Sequence, residues 1–233
     1  MSTVPPLRAL SSLPGFDPRQ VPVTGVDTHL PAVARSELSA QALRERFGIS
    51  RIWTPEIVAE PSFSDRQLTP ASVLLAITTH DEPRVVLTQR TAHLSSHSGQ
   101  IAFPGGKQDA NDTDHTTTAL REAHEEIGLE AGFVQVLGAL PAYRTGSAFI
   151  VTPVVALLRD GYSVRRNAYE VDDIFEVPLA YLMDPANHRH HVVQIDGVTR
   201  EWLSIPYLDG ATERFIWGAT AGMLRNFYRF LSA

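Results

Sequence analysis

Residues 121–129, Arg-Glu-Ala-His-Glu-Glu-Ile-Gly-Leu, place three carboxylates at i, i+3 and i+4 of a predicted helix. At about 100° per residue, Glu122, Glu125 and Glu126 share one side while Leu120, Ala123 and Ile127 gather on the other. One face can pack and the other is left for chemistry. Like charges this close repel and raise one another's pKa, so a site that keeps all three ionised needs a strong positive partner. Mg²⁺ or Mn²⁺ meets that need. The competing reading is a solvated acidic face on an ordinary amphipathic helix.

What lies upstream weighs against the plainer reading. Phe103, Pro104, Gly105, Gly106 and Lys107 precede the helix, and two adjacent glycines let the backbone turn sharply and approach another group closely. Gly128 stands where a left-handed C-terminal cap belongs, so the helix stops directly after its acidic face.

Arg121, Glu122, Ala123, Glu125, Glu126, Gly128 and Leu129 resemble the second half of the Nudix box, R-E-U-x-E-E-x-G-U with U an aliphatic residue. In the first half, Gly106 lies fifteen residues before Arg121, one more than the usual spacing, and Asp112 stands where the box has its first glutamate. That departure is itself similar to the sub-group that hydrolyses coenzyme A, whose Gly-Gly-Lys-x-Asp-x-x-Asp and Thr-Ala-Leu-Arg-Glu-Ala match Gly105 to Asp112 and Thr118 to Ala123. An upstream signature of the same sub-group, L-L-T-x-R-[SA]-x3-R-x3-G-x3-F-P-G-G, is met in register by Leu87, Thr88, Arg90, Gly99, Phe103, Pro104, Gly105 and Gly106. Val86, Thr91 and Ser95 depart from it. Ser95 replaces an arginine, so any phosphate contact that arginine makes in relatives is here vacant or filled from elsewhere. The resemblance covers residues 86–129 and, more loosely, extends through Trp217. It implies an α/β fold, the Nudix α/β/α sandwich with a mixed β-sheet between helices.

Composition bounds the rest. A chain of 233 residues, 43% of them hydrophobic, is ample for one core plus an extension. With no cysteine there is no disulfide scaffold, thiol nucleophile or thiolate metal site, which leaves oxygen and imidazole as ligands. No apolar run reaches the roughly eighteen residues of a membrane span, and Met1 to Pro22 lacks the apolar stretch of a secretion signal. The expectation is a soluble, cytoplasmic protein. A formal net charge of −6 disfavours nucleic acid and anionic membranes as partners. A small polyanionic substrate then needs a metal and a few local cations.

Residues 1–70 are expected to form an N-terminal arm and a short helix, and residues 71–233 the hydrolase domain with a C-terminal helix. Six of the sixteen prolines fall in residues 1–35, where no periodicity is visible. Leu38, Ala42, Leu43 and Phe47 share a helical face between Ser36 or Ser39 as cap and Gly48 as stop. Val73 to Thr79 and Val85 to Gln89 are predicted as an antiparallel pair, and Val134 to Ala142 and Phe149 to Leu158 as further strands. Residues 191–205 read as a hairpin turned at Asp196 and Gly197. Ile216 to Leu231 read as a closing helix with Ile216, Ala219, Met223, Phe227 and Phe230 toward the core.

The oxygens of a phosphoric anhydride repel a nucleophile, so hydrolysis calls for divalent cations that neutralise the bridge and acidify the attacking water. Glu122 and Glu126, one helical turn apart, are the leading ligands; Glu125 is a third ligand or the proton acceptor. The resemblance also allows a base outside the box, with Glu170 and Glu176 as candidates in an expected loop region. Arg121 is placed to orient the carboxylates by charge-assisted hydrogen bonds. Gly105, Gly106, Arg90, Lys107 and Arg144 are candidate substrate contacts. Asp109 and Asn111 begin like a calcium loop, but Asp114 at the glycine position and Leu120 at the bidentate position exclude an EF-hand. His188, His190 and His191 suggest a transition-metal site less than ordinary polarity, since adjacent residues on a strand point apart. His93, His97, His115 and His124 read as surface histidines, and Trp202, Trp217 and Phe227 as core or stacking residues.

The expected activity is a Mg²⁺- or Mn²⁺-dependent Nudix pyrophosphohydrolase that cleaves coenzyme A or its thioesters to 4′-phosphopantetheine and adenosine 3′,5′-bisphosphate, with a homodimer as a candidate assembly. The alternatives are hydrolysis of another nucleoside diphosphate derivative, such as ADP-ribose or a dinucleotide, and a catalytically silent Nudix module for sensing or protein binding.

Overall fold

The computed structural model describes residues 10, 13, 15–62, 67–91, 99–195 and 197–233. At its centre two strands run parallel, β2 (Thr69–Thr78) and β8 (Phe149–Leu158), in register from Thr69↔Phe149 to Thr78↔Leu158. Between them in the chain come β3 (Arg84–Arg90), β4 (Ile101–Ala102), β5 (Gly105–Lys107), helix α2 (His115–Ile127), β6 (Val134–Ala139) and β7 (Tyr143–Arg144). With β9 (Val171–Pro178) they build a mixed eight-stranded sheet: β3 and β5 pair antiparallel with β2, β4 and β9 with β3, and β6 and β7 with β8.

The central strands read as nearly unbroken apolar runs because both their faces are covered. Alternation sends Leu75, Ile77, Val85, Leu87, Val151, Val155 and Leu157 into one core. Their neighbours Leu74, Ala76, Val86, Val154, Ala156 and Leu158 enter a second core, capped by Ala119, Ala123 and Ile127 of α2. The first core is closed by α1 (Ala40–Gly48), α3 (Leu179–Leu182) and α4 (Gly218–Ser232) through Leu43, Leu179, Leu182, Met223, Leu224, Phe227 and Tyr228. The result is the expected α/β architecture, a mixed sheet between helices.

A second, four-stranded sheet is formed by β1 (Val23–Val26), β10 (Arg189–Ile195), β11 (Val198–Asp209) and β12 (Thr212–Trp217), in that order and antiparallel throughout. Its β10–β11 pair is the hairpin expected from residues 191–205, closing at Ile195↔Val198 with Gly197 at φ 76°; Asp196 lies outside the described residues. Two readings need correction. Residues 23–26, expected in an arm without periodicity, add an edge strand to this sheet. Ile216 is the penultimate residue of β12, and the closing helix starts only at Gly218. Among the described residues, no helix is long and apolar enough to cross a membrane.

The segments 15–62 and α4 are tied by a buried charge cluster. Arg225, with a side chain only 3% exposed, meets Asp27 at 2.9 Å and Glu56 at 2.8 Å, and Asp27 also meets His190 at 2.8 Å. A guanidinium so buried must be paired, and two carboxylates from before β2 supply the charge.

Candidate active site

Helix α2 is pinned at both ends. Asp114 caps its N-terminus by accepting a hydrogen bond from Thr117 N at 2.8 Å. Gly128 ends it at φ 63°, with Gly128 N bonding to His124 O and Leu129 N to Ala123 O. Ala119, Ala123 and Ile127 are fully buried, which fixes the rotation of the helix and turns the acidic face toward a cavity of about 690 Å³.

Glu126 lies deepest, 3% exposed. Its Oε2 accepts from Gly105 N at 3.1 Å and its Oε1 from Arg90 Nη1 at 3.3 Å. Burial pushes this carboxyl up to about 7, with the charges of Glu122 and Glu170 adding to the rise and Gly105 and Arg90 opposing it. Glu122 is raised as well, first by burial and then by Glu125 and Glu170, against the pull of Arg121. Both glycines of the loop are demanded by contact. A Cβ at Gly105 would fall 2.4 Å from Ser72 O and 2.6 Å from Val73 Cα, and one at Gly106 would fall 2.5 Å from the carboxyl carbon of Glu122.

Arg121 organises the rim. It grips Asp112 with two bonds, Nε to Oδ1 at 3.0 Å and Nη2 to Oδ2 at 2.8 Å. Its Nη1 reaches Glu122 at 3.0 Å and Glu125 at 3.1 Å, and Nη2 also donates to Lys107 O at 2.9 Å. Asp112 is held well below the usual carboxylate range, chiefly by Arg121 and then by the Asp109 N–H. This one guanidinium links the loop before α2 to three acids and sets the direction of Glu122.

The donors fit a hard divalent cation. They are carboxylate oxygens, and the two deepest, Glu122 and Glu126, are pushed toward protonation by burial and by neighbouring charge, a strain that a bound cation relieves. Among the described residues no three Asp, Glu or His groups form a closed cage. Mg²⁺ does not need one, because it commonly keeps several waters and uses one or two carboxylates plus substrate phosphates.

The cavity gathers most of the residues expected from sequence: Arg90, Gly105, Gly106, Lys107, Arg121, Glu122, Glu125, Glu126 and Glu170 all line it. Two expectations change, those for Arg144 and Glu176, and Glu125 is placed beside its partner. Glu125 is turned onto Arg121 with its side chain 54% exposed. Arg144 does not line the cavity; alternation along β7 buries Tyr143 and leaves Arg144 exposed. Glu176 lies within β9, not in a loop, and is engaged by Tyr162 at 2.5 Å and Arg84 at 3.6 Å. His190 is bonded to Asp27, His191 to Ser204, and His188 is fully buried against Leu182 O, so each serves the structure. Ser95, His93 and His97 lie outside the described residues.

Sequence reasoning missed two contributors to the cavity. Glu60 accepts from Tyr143 Oη at 3.2 Å and Gly146 N at 2.9 Å, and Arg200 on β11 is 7% exposed. Neither belongs to a motif; only strand alternation in the hairpin marked Arg200 as inward.

A NUDIX domain model matches residues 68–203. The uncharacterized Nudix hydrolase NudL of Yersinia enterocolitica is 40% identical over 156 residues, which are 67% of this chain and 78% of that protein. The NudL protein of Yersinia pestis strain Pestoides F is 38% identical over 156 residues, 67% of this chain and 76% of its own length. Among solved structures, the Nudix hydrolase RenU from M. Smegmatis aligns over 57% of this chain and 76% of its own, at 23% identity and a TM-score of 0.40, a level that carries no further argument.

Two predictions follow from the buried acids and the loop. A carboxyl raised from 4.5 to about 7 favours the folded state below pH 4.5, and that contribution is lost as pH rises through 7. His188, lowered to about 4 by burial, gives the opposite slope below pH 6.5, so the informative quantity is the difference between wild type and Glu126→Gln. Without metal, urea denaturation should show the variant gaining on wild type by up to about 3 kcal/mol as pH rises through that window. A difference that stays flat with pH contradicts the reading. The glycines should separate cleanly: Gly106→Ala displaces only the flexible end of Glu122, keeping the fold while turnover drops about tenfold to a hundredfold. Gly105→Ala meets rigid backbone and should lower the melting temperature; the reverse order of effects would refute the packing described.

Proposed function

The chain belongs to the Nudix family, and from that premise we propose that it cleaves coenzyme A or its thioesters, with Mg²⁺ or Mn²⁺, to 4′-phosphopantetheine and adenosine 3′,5′-bisphosphate. It is a pyrophosphohydrolase of a nucleoside diphosphate derivative; the coenzyme A assignment is the finer step. One observation carries it. The upstream stretch 86–106 and the acidic helix, separate in sequence, meet on Glu126, which receives Arg90 from one end of that stretch and Gly105 N from the other. Arg90, Phe103, Gly105 and Gly106, which belong to the pattern resembling coenzyme A hydrolases, line the cavity beside the acidic residues. A cavity of about 690 Å³ has room for a substrate of that size.

In this reading Glu122 and Glu126 hold the cation, which when bound neutralises the diphosphate and polarises its bridge. Arg121 fixes Glu122 through the shared clamp on Asp112. Water attacks one phosphorus, the bridging P–O bond breaks with its electron pair on the departing phosphate, and a carboxylate takes the water's proton. Glu125 already accepts from Arg121, which favours Glu170, on the lining of the same cavity, as that acceptor. Gly105 and Gly106 leave room for β2 and for the Glu122 carboxylate, and Lys107 on the cavity lining adds positive charge for the diphosphate.

Purified protein assayed against coenzyme A, 3′-dephospho-coenzyme A, ADP-ribose, NADH and diadenosine polyphosphates, with products separated by chromatography, tests the proposal. Coenzyme A should lead ADP-ribose by about tenfold or more in kcat/KM. Chelator should abolish turnover, and Glu122→Gln or Glu126→Gln should each lower it by about a hundredfold or more at saturating Mg²⁺. Preference for ADP-ribose by a similar factor would remove the coenzyme A assignment and leave the general hydrolase.

A further inference from the structure

The cavity must receive a substrate with several negative charges, and its arginines, Arg200 included, already carry contacts within the protein. Arg121 donates to Asp112, Glu122, Glu125 and Lys107 O, and Arg90 pairs with Glu126. Lys107 stands exposed at the lip with its ammonium 5.7 Å from the Phe149 ring centroid. The fourth cation, Arg200, comes from the other sheet. It lines the same cavity at only 7% exposure, on β11, two residues before Trp202. Trp202 is itself held as a platform, stacked on His191 at 5.5 Å and edge-on to Trp217 at 6.2 Å. One wall therefore presents acids and glycine backbone, suited to a cation and a diphosphate, and the other pairs fixed aromatic rings with a guanidinium, suited to a base and a phosphate.

An arginine stays charged when buried and carries five N–H donors in a planar fork, so it can keep contacts with the protein and still take two oxygens of a phosphate. Arg200 comes from the four-stranded sheet, whereas Glu122 and Glu126 come from α2, which points to a phosphate other than those of the scissile bridge. We propose that Arg200 is a specificity-determining residue that grips a phosphate monoester on the substrate's ribose. This rests on the coenzyme A reading for the identity of the substrate, whose adenosine carries a 3′-phosphate, but its test does not depend on turnover.

Adenosine 3′,5′-bisphosphate and AMP differ by that phosphate alone. Calorimetry with Mg²⁺ present should show wild type binding the bisphosphate about tenfold or more tighter than AMP. In Arg200→Gln the ratio should shrink to about threefold or less, and in Arg200→Lys it should fall between the two, because an ammonium makes a point contact where the guanidinium makes a fork. The ratio is internal to each protein, so a variant damaged only in folding loses both ligands together and keeps it. With substrates, Arg200→Gln should raise KM more for coenzyme A than for 3′-dephospho-coenzyme A. A wild-type ratio within about threefold, or a ratio that survives Arg200→Gln, overturns the proposal. If wild type does not cleave coenzyme A at all, the functional reading fails, and the binding ratio still decides the role of Arg200.

Discussion

Glu126 is a carboxylate kept almost wholly from water, and the local architecture is arranged around the cost of keeping it there. An ionised acid at 3% exposure is unfavourable unless hydrogen bonds and opposite charge replace its hydration. Two partners do so in part, the Gly105 N–H and the Arg90 guanidinium, and each arrives from a different strand. They do not compensate it fully: burial, with a smaller push from Glu122 and Glu170, raises its pKa to about 7. In the proposed function, a divalent cation held there would offset that cost.

That placement depends on the helix being unable to rotate. The sheet supplies the constraint through period-2 alternation, which divides β2 and β8 between two cores and gives α2 its own hydrophobic bed of Leu74, Ala76, Val154 and Ala156. The Asp114 cap and the left-handed Gly128 fix the ends of the helix. Arg121 then locks the outer acids through Asp112, which stands nine residues before it, one more than in the box, and is held by the Asp109 N–H bonding back to its carboxylate at 2.9 Å.

The helix, its caps, the central strands and the cavity residues Arg90, Gly105, Gly106 and Lys107 were legible because each is written locally: 3.6-residue periodicity, alternation, paired glycines and a dense motif. What was not legible is non-local. The edge strand Val23–Val26 pairs with β10 across more than 160 residues, and its exposed, proline-flanked sequence carries no strand signal of its own. Glu176 was read as a loop acid because an eight-residue strand with alternate burial interrupts its apolar pattern with three acids, Asp172, Asp173 and Glu176. Arg144 beside buried Tyr143 shows the same limit, since sequence marks a cation but not which way a two-residue strand turns it. Arg200 is the instructive omission. An isolated arginine in a hairpin looks like surface; strand alternation puts it on the inward face, and tertiary packing makes that face part of the cavity.

The central claim is that the cation is held by carboxylates which burial has made reluctant to ionise. Binding must then displace protons over a defined pH range. Mg²⁺ titrated calorimetrically into metal-free protein, in two buffers of different ionisation enthalpy, reads that number directly. The account predicts release of about half a proton or more near pH 6.5, falling toward zero near pH 8.5, and loss of this pH-dependent component in Glu126→Gln. Binding with no proton release at either pH, or release unchanged in that variant, would contradict it.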